Sequence, residues 1–351
     1  MIVFDCEIMI HPNTGLNSFC ANLGRSLLKE ASDIGQEMSF MVRKPQSGYF
    51  GDGCSYIVYK SMYRYFDVLR MSRKECCLWH SAFQFPKVLP KGVPTVMTVH
   101  DLNFMYTDTG REQAKRRRRM QKAIDKASAV VAISEYTKRD LERFMNLEGK
   151  NVHVIYNGCN RYSGLILPPS YKPGHEFLFT VGTLFPKKNF HVLPWLLQGN
   201  SYELVIAGIR TAYEKRILEE AAAAGVSDRV HVAGEVDEAA KHWYLENCSA
   251  FVFPSLAEGF GLPVLEAMYY GKPVFLSTRT SLPEIGGDKA FYFSDMSSPE
   301  IMQADFAEGM KKFREGAVSP DSIRRHAEMF SWDAAAKAYC NLYRQVLRSR
   351  C

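Results

Sequence analysis

Two series of short apolar runs, each interleaved with amphipathic segments, restrict this chain to an α/β fold built on parallel sheets. In the first series, residues 2–4, 39–42, 76–79, 95–99, 129–133 and 152–156 read as strands. In the second, residues 177–181, 203–207, 229–232, 250–253, 274–276 and 291–293 do so. Helical periodicity is expected at 16–28, 111–126 and 135–144, then at 190–197, 213–224, 238–247 and 263–270. Strands that alternate with helices imply crossover connections and parallel pairing. The periodicity stops between Asn157 and His175, where Asn157-Gly158, Pro168-Pro169 and Pro173-Gly174 are loop chemistry. The expected domains are therefore 1–158 and 159–335, two doubly wound halves, followed by a helical tail at 336–351 whose amphipathic pattern already starts at Ser331-Trp332. Residues 45–74 carry only a weak pattern and read as a variable segment.

Composition narrows the class further. The chain has 351 residues, 46% of them apolar, enough for two ordinary cores. No stretch of eighteen or so apolar residues is present, so no membrane-spanning helix is expected. The start, Met-Ile-Val-Phe-Asp-Cys-Glu, reads as a strand, and no signal peptide is expected. The nine scattered cysteines show no Cys-x-x-Cys spacing and read as reduced, cytosolic thiols. The net charge of +6 is too mild to imply nucleic acid by itself.

The chemistry concentrates in Glu258-Gly-Phe-Gly-Leu-Pro-Val-Leu-Glu266, after the apolar run at 250–253 and Pro254-Ser255. Glycine lets backbone approach a ligand, and Pro263 suits the first helical position. The open N–H groups and positive dipole end of that helix favour a phosphate. Glu258 in the loop and Glu266 in the first helical turn would then bracket it, where carboxylates accept hydrogen bonds from sugar hydroxyls. Lys188, in Gly182-Thr183-Leu-Phe-Pro-Lys-Lys-Asn189, follows the first strand of the second half, where doubly wound sheets bind ligands.

The segment from Phe253 to Pro273 resembles the Glu-x7-Glu signature of retaining glycosyltransferases with the GT-B fold, in particular glycosyltransferase family four. That resemblance implies two Rossmann-like domains facing across a cleft, 1–158 on the acceptor side and 159–335 binding the nucleotide-sugar donor, with the last helix packing back on the first domain. It implies a retaining transferase that moves a hexose from a nucleotide sugar to a glycan or lipid-linked acceptor in polysaccharide biosynthesis. The Gly-Thr-Leu-x-Pro-Lys-Lys-Asn and Ser-Leu-Pro-Glu variants look most like mannosyltransferases and favour GDP-mannose over UDP-hexose and dTDP-rhamnose. Lys188 falls on the family's phosphate-binding lysine. Thr183 stands where many relatives carry an arginine, which leaves the second cation open, with Arg210 as the candidate. Glu258 and His100, of Val99-His-Asp-Leu102, are implied at the donor sugar, and Glu266 at the ribose. Gly259, Phe260, Gly261, Leu262, Gly15 and Val236 are the remaining implied donor contacts. Ser134 is read first as a helix cap.

No Asp-x-Asp and no Gly-x4-Gly-Lys-Ser/Thr is present, so no metal or other cofactor is expected and a kinase or ATPase is disfavoured. Residues 111–126 carry a run of cations from Lys115 to Arg119. They read either as a solvated helix face or as a contact with anionic lipid headgroups at the cytoplasmic side of a membrane or with a lipid-diphosphate acceptor. Nucleic acid is not expected, because no stacking aromatics interleave. The rival readings are a non-catalytic nucleotide-sugar-binding subunit and a GT-B sugar-nucleotide epimerase.

Overall fold

Strands of a parallel sheet are covered on both faces, so their sequences must be apolar almost throughout. That requirement is met in the computed structural model, which describes residues 1–11, 14–31, 35–64 and 76–349. The chain divides into two units, residues 1–158 with 330–351, and residues 159–329.

Unit 1 holds strands β1 Ile2–Asp5, β2 Met38–Val42, β3 Ser55–Val58, β4 Leu78–Ser81, β5 Thr95–Val99, β6 Ala129–Ala132 and β7 Val152–Val154. They form one sheet in the order β3-β2-β1-β4-β5-β6-β7, and every adjacent pair is parallel. Helices α1 Gly15–Ala31, α2 Phe104–Thr107, α3 Gly110–Lys126 and α4 Glu135–Phe144 connect them. Ser134 caps α4 by accepting from the Thr137 N–H at 3.1 Å. Strand β3 falls in the segment read as weakly patterned. It is an edge strand with no fully buried residue, so it needs no apolar run. Residues 65–75 of the same segment lie outside the described residues.

Unit 2 holds β8 Phe177–Val181, β9 Glu203–Ala207, β10 Val230–Gly234, β11 Ala250–Phe253, β12 Val274–Ser277 and β13 Phe291–Phe293, all parallel, in the order β10-β9-β8-β11-β12-β13. Its α-helices are α5 Glu214–Ala223, α6 Glu238–Asn247, α7 Leu262–Tyr269, α8 Leu282–Gly286, α9 Pro299–Arg314 and α10 Pro320–Glu328. The segment Phe190–Leu197, expected as an ordinary helix, is wound more tightly into a 3-10 helix with Pro194 inside it. Proline has no N–H to give to an α-helical ladder.

In both sheets the chain first runs outward on one side and then returns to the other side of its first strand. The switch lies between β1 and β4 in unit 1 and between β8 and β11 in unit 2. Ligands of such sheets bind outside the carboxyl ends of the strands at this switch.

The chain rejoins unit 1 at Phe330, ahead of the expected 336. Ser331 caps the C-terminal helix Trp332–Arg348, and Trp332 meets Phe19 of α1 edge-on at 5.9 Å. Gly158 makes this possible, since a Cβ there would sit 2.2 Å from the Trp332 nitrogen. Ser26 of α1 donates to Asp333 at 2.6 Å. Deeper in, His80 of β4 bonds the Tyr343 hydroxyl at 2.6 Å and Thr98 at 2.8 Å, and Thr98 meets Tyr339 at 2.8 Å. Burial lowers the His80 pKa to about 3, with His100 adding to the effect, so the ring is neutral and shares its bonds with hydroxyls. Tyr343→Phe leaves His80 short of a partner in a dry site. It is expected to destabilise unit 1 by ~1–3 kcal/mol, read as a lower denaturation midpoint; an unchanged midpoint would contradict that role.

Candidate active site

The site in unit 2 is built from the loops that leave β8 and β11, on either side of the switch. After β8 the backbone runs through Gly182 into the short turn Pro186–Lys188 and then Asn189, which is left-handed at φ 58°. Gly182 leaves room for the lysine: a Cβ there would come within 3.3 Å of the Lys188 Cε, closer than ordinary contact. Its carbonyl in turn packs against Gly208 after β9, where a Cβ would lie 2.1 Å away. The two strand ends thus converge backbone to backbone.

Lys188 reaches across the switch and donates from Nζ to Glu258 Oε1 at 2.5 Å, with both side chains 14% exposed. Its ammonium also lies 4.9 Å from the centroid of the Phe253 ring. Glu258 is held from several directions. Ser255 donates to the same carboxylate oxygen at 2.6 Å, and the Glu258 N–H donates to Thr280 Oγ1 at 3.1 Å. Ser281 hydrogen-bonds the Glu258 carbonyl at 3.1 Å and the Phe260 carbonyl at 2.8 Å. Thr280 holds φ 56°, a conformation that costs a residue with a Cβ about 1 kcal/mol or more. That strain sits in the turn that fixes the Glu258 loop.

Gly259, Phe260 and Gly261 lead into α7. Gly261 is the capping residue at φ 120°, and a Cβ there would press on Leu282 at 3.1 Å. The helix begins at Leu262, so Pro263 is second rather than first, and Glu266 lies beyond the first turn. The reason is that the unusual φ of Gly261, which only glycine takes readily, starts the helix one residue earlier. Glu266 is nearly buried. Its carboxylate accepts from Asn160 at 2.6 Å and pairs with Lys241 at 3.2 Å. Lys241 is itself largely buried. Burial opposes its charge, but Glu266 and Glu238 raise its pKa on balance.

The other sequence candidates of unit 2 lie around β9 and β10. Arg210 donates to the Val232 carbonyl at 2.5 Å and pairs with Glu214 at 3.1 Å. Its Nε lies 3.2 Å from where a Cβ on Gly234 would be, which borders the turn carrying Val236. Thr183 sits beside Gly182 and accepts from the Phe185 N–H through its carbonyl at 2.7 Å.

In unit 1, His100 is buried after β5. Its Nε2 donates to the Ala82 carbonyl at 2.7 Å, and it meets Phe19 edge-on at 4.6 Å. Burial holds its pKa below the ordinary histidine value. Gly15 is exposed at the start of α1, where a Cβ would meet nothing within 4 Å; Pro12 and Asn13 beside it lie outside the described residues. At the end of β1, Glu7 is buried and accepts from Arg43 and from Lys87, the latter at 2.6 Å. Asp5 accepts from the Glu7 N–H at 3.1 Å. Burial pushes Asp5 up to about 7, against that N–H and with the Glu7 charge.

Residues 169–327 match the family described as Glycosyl transferases group 1, and residues 58–161 match Glycosyltransferase Family 4. Each half of the chain thus carries a match to a glycosyltransferase family. O-antigen chain mannosyltransferase B of Escherichia coli is 26% identical over 71% of this chain and 70% of its own. O-antigen chain mannosyltransferase RfbU of Salmonella typhimurium is 27% identical over 56% of this chain and 55% of its own, so that match spans about half of the relative. Sucrose-phosphate synthase from Thermosynechococcus elongatus shares the fold, with TM-score 0.73, 18% identity and 99% of both chains covered. The two Rossmann-like units are those of a GT-B hexosyltransferase.

In this glycosyltransferase the sequence candidates Lys188 and Glu258 come together, and the 259–262 loop sits beside them. Arg210 stands apart, over β10, and Glu266 faces Asn160 and Lys241. Sequence reasoning missed Ser255, Thr280 and Ser281 as supports of Glu258, although Ser255 stood in the motif's own flank. It also missed the Asp5–Glu7–Lys87 cluster, which the chain assembles over long range.

Asp5 carries a pH signature. Its folded pKa near 7 lies above the ordinary 3.8, so between about pH 4 and pH 7 the folded protein holds a proton that the unfolded chain has released. Its contribution to stability therefore falls as pH rises through that window. Asp5→Asn is expected to flatten the unfolding midpoint over this range relative to the wild type; parallel curves would contradict it.

Proposed function

We propose that the protein transfers mannose from GDP-mannose, with retention and without a metal, to a glycan or lipid-linked acceptor in polysaccharide assembly. The Lys188–Glu258 pair across the unit 2 switch carries this reading. It offers a cation and a carboxylate side by side at the place where a doubly wound sheet binds nucleotides. The two O-antigen mannosyltransferases among the relatives support mannose as the sugar.

Lys188 and the amino end of α7 stabilise the negative charge that develops on the departing nucleoside diphosphate. They supply the positive charge that a divalent cation would otherwise bring. Glu258, fixed by Ser255 and Thr280, accepts from donor-sugar hydroxyls and supports the oxocarbenium-like transition state. Glu266 accepts from the ribose. A carboxylate has about four lone-pair sites, so its bonds to Asn160 and Lys241 orient it without exhausting it. Arg210 and the turn at Val236 border the base. The acceptor hydroxyl attacks from the face that the leaving group vacates, and a donor phosphate oxygen takes its proton.

The exposed cations of α3 give the protein a membrane-facing side. Arg111, Lys115, Arg118 and Lys122 recur at helical spacing and are all exposed, while Met120, Ala123 and Ile124 bury the opposite stripe. We place this face against anionic lipid at the cytoplasmic side, where each cation contributes about 1 kcal/mol. Co-sedimentation with phosphatidylglycerol vesicles is expected, weakening with salt and lost when these four residues are changed to Glu. Equal binding to neutral phosphatidylcholine vesicles would contradict it.

The donor reading is tested by thermal stabilisation with GDP, UDP, dTDP and CMP, with and without EDTA. GDP is expected to give the largest shift, unaffected by EDTA; a shift with UDP or dTDP alone would overturn the donor. Glu258→Gln is expected to cut turnover by about 100-fold or more while GDP binding persists. Unchanged turnover would remove Glu258 from the catalytic set. Release of a free 2-epimer without acceptor would point to an epimerase instead.

A further inference from the structure

Helix α7 carries one charge in an otherwise apolar setting. Its other buried residues are Leu262, Val264, Leu265, Ala267 and Met268, and Glu266 lies among them at 3% exposure. Taking a carboxylate out of water is costly, and replacing a buried ion pair by well-packed apolar residues is often neutral or stabilising. Stability alone therefore does not account for a charge at this position. The two partners of Glu266 divide its carboxylate between them. Asn160 donates from Nδ2 to Oε1 at 2.6 Å, and the Lys241 ammonium lies 3.2 Å from Oε2. One partner on each oxygen fixes the plane of the group and leaves each oxygen a further lone-pair site. Two oxygens held side by side in this way suit two neighbouring hydroxyls, as on a ribose.

Both partners are themselves held in place. Asn160 belongs to a stretch, residues 159–162, that clasps α6 and α7. Cys159 donates from Sγ to the Leu265 carbonyl at 3.4 Å, and the Arg161 guanidinium lies 5.4 Å from the Tyr269 ring centroid. Tyr162 stacks on His242 of α6 with ring centroids 4.6 Å apart. Anchors on both sides of Asn160 thus set where its amide points. Lys241 is fixed by charge. It sits between two carboxylates, Glu266 and, at 2.8 Å, Glu238, and His242 stands 3.6 Å from the same Glu238 oxygen. The Glu238 side chain is 62% exposed, so water screens its charge. Glu266 has no such screening, and it is the carboxylate for which Lys241 matters most.

We propose that Asn160 and Lys241 are positioning residues for the nucleotide: they hold the Glu266 carboxylate so that its two oxygens receive the two vicinal hydroxyls of a ribose, and they thereby set the preference for a ribonucleotide over its dideoxy counterpart. This rests on the reading of Glu266 given above and adds the residues that make it selective. Without either partner the carboxylate is free to turn, and a hydroxyl that no longer meets it squarely bonds more weakly. Neither residue needs to touch the ligand to have this effect.

The test is calorimetric titration of the full chain with GDP and with 2′,3′-dideoxy-GDP. Hydroxyls bonded to a carboxylate should make the wild type bind GDP about tenfold or more tightly than the dideoxy compound. Asn160→Ala and Lys241→Met should each reduce that ratio to about threefold or less, through lost GDP affinity with dideoxy affinity retained. Lys241→Arg, which keeps the charge, should recover part of it. A merely structural role would weaken both ligands alike, so the ratio is the readout. Circular dichroism reports that each variant is folded; Asn160→Ala, at a half-buried position and with no charge removed, serves if Lys241→Met is not. A ratio kept in the folded variants would overturn the proposal. Glu266→Gln separates it from the reading beneath. If the ratio falls in Glu266→Gln but not in the other variants, Glu266 reads the ribose without their help and only the proposal fails. A ratio unchanged in Glu266→Gln, or absent from the wild type, removes Glu266 from the ribose and the proposal with it. No binding of GDP by the wild type would overturn the donor reading as a whole, and the proposal that rests on it.

Discussion

The order of strands in each sheet decides where chemistry can happen in this protein. A chain that winds outward from its first strand and then returns to the other side opens a crevice beside that strand's carboxyl end. Here it does so twice, between β1 and β4 and between β8 and β11. The carboxyl ends of those four strands, with the loops that leave them, carry Asp5, Glu7, Ser81, Phe83, Lys188 and Glu258. The strands themselves are buried and mostly apolar, and they serve to hold these residues at fixed separations.

Within unit 2 the arrangement depends on a contact that is costly to keep apart from its ligand. Lys188 and Glu258 are mostly shielded from water, so each needs the other while no substrate is present. The surroundings fix one partner more firmly than the other. Glu258 is tied through its carboxylate, its N–H and its carbonyl, and the strained Thr280 stands in that support. Lys188 has a flexible stem and an ammonium whose other neighbour is an aromatic face. On the proposed reading, a phosphate would compete for the more mobile member of the pair, and the carboxylate would stay in place for sugar hydroxyls.

Much of this was legible in the sequence because it is local. The strands of unit 2 are short apolar runs, and Gly261-Leu-Pro263 announces a helix start to within one residue. Glu258 and Lys188 stood out through a family resemblance that the group 1 match bears out at the level of family. Helices α9 and α10 went unread although Ser298-Pro299 and Ser319-Pro320 give each a cap and an early proline. Strand β3 was hidden for a physical reason, since a half-exposed edge strand does not need an apolar pattern. The pairing of Glu7 with Arg43 and Lys87, and of Glu266 with Asn160 and Lys241, joins residues far apart in the chain. No spacing rule announces such contacts. The positive φ of Thr280 is equally silent, because threonine is an unfavoured choice there and only the packed loop imposes it.

The central claim is that the Lys188–Glu258 pair marks the donor site. The most direct measurement is a crystal structure of the protein with GDP bound. The account predicts phosphate oxygens within hydrogen-bond reach of Lys188 Nζ and the amino end of α7, with Glu258 still held by Ser255. A nucleotide bound elsewhere, with the Lys188–Glu258 pair intact and unshared, would contradict it.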